Sequence, residues 1–211
     1  MWQPRWALVG DSIQAWVFEA GGASTSGQAS LLTASRIPFQ TNVSIQNLSV
    51  PGMRLAQGSV ADGREFDQSL INKISGGFGM NGVICTLGTN DYINPNVSTI
   101  DYFNALAALM NVTKALDIPL VIVAPIWRSD KDTPIAKYNG TTATLTDFRN
   151  VAQWAVSLRP AADKVYFVDG LAAPVQGLSY FGGDGLHLNG VGHTAFSNWL
   201  VNQIKALGLW V

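Results

Sequence analysis

Five short apolar or β-branched runs punctuate the chain: Trp6–Val9, Val43–Leu48, Val83–Leu87, Leu120–Ala124 and Val165–Val168. Between them the apolar positions fall at helical spacing. Glu65–Ile74 carries Phe66, Leu70, Ile71 and Ile74; Ile100–Leu116 carries Phe103, Leu106, Leu109 and Met110. Thr146–Leu158 carries Phe148, Val151, Ala152 and Ala155, and a last helix over about Val191–Leu207 carries Phe196, Trp199, Leu200 and Ile204. Strands that are apolar throughout are buried on both faces. Their alternation with helices predicts an α/β fold with a parallel sheet covered on both sides. No repeat, low-complexity tract or linker interrupts the pattern, so residues 1–211 read as a single domain.

In such a sheet, ligands bind beyond the carboxyl ends of the strands. The strand endings here are polar and rich in glycine. The first run stops at Gly10-Asp11-Ser12, the second leads into Asn47-Leu-Ser-Val-Pro-Gly52-Met, and the third ends in Leu87-Gly-Thr-Asn90-Asp91. The fourth leads into Ala124-Pro-Ile-Trp127-Arg-Ser-Asp130, and Gly182-Gly-Asp184-Gly-Leu-His187 precedes the last helix.

Composition narrows the chemistry. Thirteen Lys and Arg against fourteen Asp and Glu leave a net charge of −1, which lacks the dense basic field that nucleic acid requires. No apolar run reaches the roughly 18 residues needed to span a bilayer, so no membrane span is expected. Met1-Trp2-Gln3-Pro4 has no basic-then-apolar signature, so no signal peptide is expected in the chain as it stands. A leader already removed, secretion, or a place within a longer surface or viral appendage stays open. The single cysteine, Cys85, excludes an internal disulfide and a multi-cysteine metal site. It lies within a strand and is expected in the core. Oligomeric state is open.

A serine becomes nucleophilic when a base takes its proton, and the usual base is a histidine oriented by a carboxylate. There are two histidines, His187 and His193. Asp184 stands three residues before His187, and Gly182, Gly183 and Gly185 allow a tight turn between them. His187 would then face Ser12 with one ring nitrogen and Asp184 with the other. For the oxyanion, the candidate donors are the backbone N–H groups of Ser12 and Gly52 and the side-chain amide of Asn90. Asp91 reads as an Asx turn and His193 as structural, donating to a backbone carbonyl. Gly77–Gly82 matches G-x-G-x-x-G in letters, but it precedes a strand instead of following one. Neither a G-x-S-x-G elbow nor a phosphate loop is present. Asp184 and His187 lack a third metal ligand, so no metal and no cofactor are expected. The Asn-x-Ser/Thr triplets at Asn42, Asn47, Asn96, Asn111 and Asn139 read as chance.

Gly10-Asp11-Ser12, Asn47…Gly52, Gly88-Thr89-Asn90-Asp91 and Asp184-Gly185-Leu186-His187 together resemble the four blocks of the SGNH (GDSL) hydrolases, in that family's order, from residue 7 to about 193. Leu188 departs from the pattern, standing where many members carry proline. The resemblance implies a flavodoxin-like three-layer α/β/α sandwich with a five-stranded parallel sheet. It implies Ser12, Gly52, Asn90 and His187 as the four named residues, with Asp184 completing the triad.

The expected activity is therefore a serine esterase acting through an acyl-enzyme. A polar stretch, Arg128 to Thr144, dotted with Trp127 and Tyr138, follows the fourth strand. With Trp16 and Arg54 these give the candidate substrate-binding residues. Aromatic faces among polar groups suit a sugar, so O-acetyl removal from carbohydrate is the preferred reaction. Lipid or thioester hydrolysis, acyl transfer to a sugar hydroxyl, and a carbohydrate-binding module without turnover are the alternatives.

Overall fold

Successive side chains of a strand point to opposite faces, so a strand without polar positions must be covered on both. The computed structural model describes residues 3–15, 33–60, 63, 65, 74 and 79–210, and it shows that coverage. The strands are β1 (Arg5–Val9), β2 (Ser44–Asn47), β3 (Gly82–Cys85), β4 (Leu120–Val123), β5 (Ile135–Ala136), β6 (Thr142–Ala143) and β7 (Val165–Val168). Five of them form a parallel sheet in the order β2-β1-β3-β4-β7, the order of flavodoxin-like folds, while β5 and β6 form a small antiparallel hairpin. Each parallel strand lies within a predicted run or overlaps it to within a residue. The missed hairpin interrupts the polar stretch after β4.

Ala7, Val9, Val83, Cys85, Leu120 and Ile122 belong to the core on one face of the sheet. Helix α4 (Thr99–Ala115) covers that face with Tyr102, Leu106, Leu109 and Met110, and α5 (Leu145–Ser157) with Phe148, Ala152 and Ala155. Trp6, Leu8, Ile84, Val121 and Val123 belong to the core on the other face, covered by α6 (Gly190–Ala206) through Phe196, Leu200, Val201 and Ile204. The result is the expected three-layer α/β/α sandwich. Each long helix begins one residue before its predicted start. Ser98 and Thr144 close capping boxes with Asp101 and Asp147, and Asn189 caps α6 by accepting from the Gly192 N–H.

Three one-turn helices went unpredicted: α1 (Ser12–Ala15), α2 (Thr33–Arg36) and α3 (Thr89–Ile93). They are too short to show a period. The helix predicted over Glu65–Ile74 lies outside the described residues except at its ends, where Glu65 bridges Arg54 and Ile74 is helical and buried. Among the described residues, no helix is long and apolar enough to cross a membrane, and no group of three or more His, Cys, Asp or Glu is placed to hold a metal ion.

Candidate active site

The site begins where β1 ends. A Cβ on Gly10 would lie 2.5 Å from Thr86 Oγ1 and 2.9 Å from Ser49 Oγ, so only glycine lets the exits of β1, β2 and β3 close together here. The next two residues start α1. The Asp11 carbonyl accepts from the N–H groups of Gln14 and Ala15, and Asp11 Oδ1 accepts from the Ile13 N–H at 2.9 Å. That accounts for the first-turn donors except the Ser12 N–H, which has no acceptor among the described residues. Ser12 is thus held at a helix start with its hydroxyl and its own N–H on a surface that is largely closed over.

From the opposite end of the chain, the loop before α6 brings His187. Phe181 bridges Leu188, and the Gly182 N–H donates to the His187 carbonyl at 2.8 Å, folding the loop on itself. Asp184 acts twice inside that fold. Its Oδ1 accepts from the N–H groups of Leu186 and His187 at 3.0 and 3.1 Å, while Oδ2 lies 2.5 Å from His187 Nδ1. His187 Nε2 lies 2.7 Å from Ser12 Oγ, across 175 residues of sequence. Partial burial works against the Asp184 charge. The hydrogen bonds from the His187 ring and from the Leu186 and His187 N–H groups outweigh it and hold the carboxyl below its ordinary range. An ionised Asp184 can only accept. Nδ1 therefore carries a ring proton, and in the neutral imidazole Nε2 presents a lone pair to the serine hydroxyl.

The β2 exit runs beside that of β1, with the Val50 N–H donating to the Gly10 carbonyl at 3.1 Å. Val50–Met53 then closes a turn through the Met53 N–H and the Val50 carbonyl, with Pro51 and Gly52 at its centre. Gly52 sits at φ +75°, the position of a type II turn that calls for glycine. Among the described residues its N–H has no acceptor. Asn90, in α3, donates from Nδ2 to the Met53 carbonyl at 3.0 Å, which fixes the amide and leaves its second N–H for another acceptor.

Asp91 is not the local Asx turn expected from sequence. Its carboxylate is fully buried and reaches 35 residues back, accepting from the Leu55 N–H at 3.0 and 3.1 Å and from the Ala56 N–H at 2.8 Å. It ties the segment that carries Gly52 to the helix that carries Asn90. Burial is the largest influence on both carboxyls beneath the site. It pushes Asp11 up to about 7, against the Ile13 N–H, and Asp91 up to about 6, against the N–H groups of Leu55 and Ala56. Lys137, from the β5–β6 hairpin, supports α3 from below by donating to the carbonyls of Tyr92 at 2.6 Å and Asn94 at 2.9 Å. Neither Asp91 nor Lys137 was assigned a role in the site from sequence. The available signal for Asp91 was an acid directly after a candidate oxyanion donor at a strand end.

The remaining candidates scatter. Trp127 is half-buried with its ring 5.4 Å from that of Phe181, so it packs beside the Asp184–His187 loop. Tyr138 is exposed on the hairpin, its hydroxyl donating to Asp101 at the start of α4. Arg54 is buried and paired with Glu65 at 3.2 Å, neither facing solvent nor covering surface. Trp16 lies outside the described residues. His193 is buried, and its Nδ1 accepts the Thr33 N–H at 3.2 Å, pinning α6 to α2. Cys85 is buried as expected, and burial pushes its thiol up to about 12.

The family model for GDSL-like lipase/acylhydrolase matches residues 7–200. No curated protein sequence is similar enough to count as a match. Among solved structures, the chain is similar to a lipase/acylhydrolase from Enterococcus faecalis, at 19% identity and TM-score 0.66, covering 99% of this chain and 98% of that one. It is similar to the M. smegmatis aryl esterase at 18% identity and TM-score 0.72, covering 97% and 99%. A family 2 carbohydrate esterase with a carbohydrate-binding domain from Corynascus thermopiles (Myceliophthora fergusii) aligns at 20% identity and TM-score 0.71, covering 97% of this chain and 67% of that one.

Proposed function

The chain belongs to the GDSL-like lipase/acylhydrolase family, and from that premise we propose that it is a serine esterase that removes short acyl groups from carbohydrate through an acyl-enzyme. The observation that carries the reading is the unbroken contact line from Asp184 Oδ2 to His187 Nδ1 at 2.5 Å and from Nε2 to Ser12 Oγ at 2.7 Å. His187 Nε2 takes the Ser12 proton as Oγ bonds to the ester carbonyl carbon. The N–H groups of Ser12 and Gly52 and the Asn90 amide receive the oxyanion. Collapse breaks the bond to the alcohol oxygen, which leaves with the proton from Nε2. Water, deprotonated by His187, then attacks the acyl carbon; the acid departs and Ser12 regains its proton.

Hydrolysis of p-nitrophenyl acetate by wild type and its loss in Ser12→Ala tests the assignment, with a fluorophosphonate expected to label Ser12 alone. Labelling of another serine refutes it. The carbohydrate preference draws support from Trp127, whose ring packs beside the catalytic loop, and from the family 2 carbohydrate esterase among the similar structures. A series from acetyl to octanoyl esters tests it. Trp127→Ala is expected to lower kcat/KM on an acetylated glycan about fivefold more than on p-nitrophenyl acetate, as befits a lost ring contact. Rates that climb with chain length would point to lipid or thioester substrates instead.

A further inference from the structure

Between the start of α4, the stretch of α5 from Asp147 to Trp154 and the β5–β6 hairpin lies an open cavity of about 510 Å³ that the mechanism does not use. Its volume falls within the roughly 300–1,000 Å³ of small-molecule sites. Thr99, Thr141, Thr142 and Asn150 contribute hydroxyls and an amide to its wall, and Trp154 lines one side. Trp154 is 53% exposed, yet its ring is not loose: it stacks on Phe103 with centroids 4.7 Å apart and planes at 28°. One face is backed by a second ring while much of the indole is left to solvent. A flat surface held in place by a neighbour loses little conformational freedom when a ligand lands on it.

Charge narrows the ligand. Asp147 is the charged residue of this wall, and its Oδ2 already accepts from the Thr144 N–H and hydroxyl at 2.7 and 2.8 Å in the helix cap. Asp101, at the adjoining start of α4, is held the same way by Ser98 and also accepts from Tyr138. The cavity therefore offers hydroxyls, an amide and an aromatic face, with Asp147 as the charge in its wall. A ligand with hydroxyls around its edge and C–H groups on its face fits that set. An anionic ligand finds no cation in this wall and meets the Asp147 carboxylate instead.

We propose that this cavity is a second glycan-binding site, where Trp154 stacks on the C–H face of a neutral sugar ring and Thr99, Thr141, Thr142 and Asn150 meet its hydroxyls. The site rests on the carbohydrate reading of the substrate and extends it, since the ligand becomes a polymer. Both helices start at the end of the sheet where the strands deliver Ser12, so a polymer longer than the cavity can run from this site toward the nucleophile.

Native gels cast with arabinoxylan, hydroxyethylcellulose or galactomannan test it, using Ser12→Ala protein so that no ester chemistry intervenes. Retardation is expected in at least one of the three gels. Adding Trp154→Ala should weaken binding roughly fivefold to tenfold, and Trp154→Phe should restore part of it. Unfolding midpoints of each variant report whether the fold is kept. Equal mobility of the Ser12→Ala protein with and without Trp154→Ala in every gel overturns the site, as does retardation abolished by Trp127→Ala alone. Acetate release from short acetylated xylo-oligosaccharides separates the two readings. Release without Trp154-dependent retardation removes this site and keeps the esterase. Retardation without release keeps this site and removes the carbohydrate esterase.

Discussion

Replacing Asp91 by asparagine changes one oxygen to an amide group and tests whether this buried acid shapes the proposed oxyanion donors. The carboxylate serves two backbone donors, the N–H groups of Leu55 and Ala56, through three contacts of 2.8 to 3.1 Å. Hydrogen bonds to a charged group are worth about 1.5–3 kcal/mol each. Asparagine keeps one acceptor and turns an NH2 toward the other N–H, so about one such bond is lost. Removing the charge also relieves the burial that pushes the carboxyl up to about 6. The net cost is then about 1–2 kcal/mol, or roughly 2–8 °C in Tm for a chain of this size. The kinetic effect should be larger than that suggests. The freed segment carries Gly52, three residues before Leu55, and also holds the Met53 carbonyl on which the Asn90 amide is oriented. Complete loss of one oxyanion donor costs about 10²–10³ in kcat, and a loosened pair should cost about 10–100-fold. The assay is kcat and KM on p-nitrophenyl acetate for Asp91→Asn, Asn90→Ala and the double variant, with unfolding midpoints for each. The double variant should fall short of the product of the single losses, because both act through the same loop. A kcat within twofold of wild type alongside a lowered Tm would show that Asp91 serves only the fold. A loss confined to KM would refute the reasoning equally.

Asp184→Asn should lower kcat on the order of 10³–10⁴-fold, as in serine hydrolases whose histidine loses its orienting carboxylate, with a lowered Tm at neutral pH from the lost charge; a near-silent variant would require another carboxylate partner for His187. Lys137→Met leaves the Tyr92 and Asn94 carbonyls without their cation and should cost about 2 kcal/mol, read as a lower urea midpoint that Lys137→Arg partly restores. Stability should fall as pH rises from about 4 to about 7. The folded protein holds the protons of Asp11 and Asp91 up to about 7 and 6, whereas the unfolded chain releases them near 3.8, so their contribution is complete below that value and lost as pH rises through the folded ones. Asp184 acts in the opposite sense, adding stability above the ordinary carboxylate value that is lost as pH falls through its lowered one. Urea midpoints at pH 4.5 and pH 8 check this, and Asp11→Asn should flatten the difference by at least about 1 kcal/mol; an unchanged difference would refute it.

The parts of this molecule legible in its sequence are those set by period and by punctuation. A strand buried on both faces has to be apolar at every position, so β1, β3 and β4 stood out as continuous runs. A helix packed on one face has to repeat its apolar residues, so α4, α5 and α6 were readable to within one residue at each end. The edge strand β2 departs from that rule, since it is half-buried and carries Ser44 and Gln46. The candidate site was legible for a related reason. Chemistry placed at strand ends needs residues that stop strands, and Gly10-Asp11-Ser12 and Gly182-Gly183-Asp184 do so conspicuously. What pattern could not supply was partnership across sequence distance. Asp91 looked like a local turn because aspartate after a strand commonly is one, and only the tertiary approach of Leu55 and Ala56 gives it another task. Arg54 and Glu65 form an ion pair whose burial no period encodes. The hairpin is a different failure. Asn139-Gly140 is a strong turn signal, but two-residue strands leave no alternation to accompany it. Missing the hairpin hid both Lys137 beneath α3 and the wall that Thr141 and Thr142 build opposite Trp154. The elements too short to show a period thus support α3 and form part of the cavity wall.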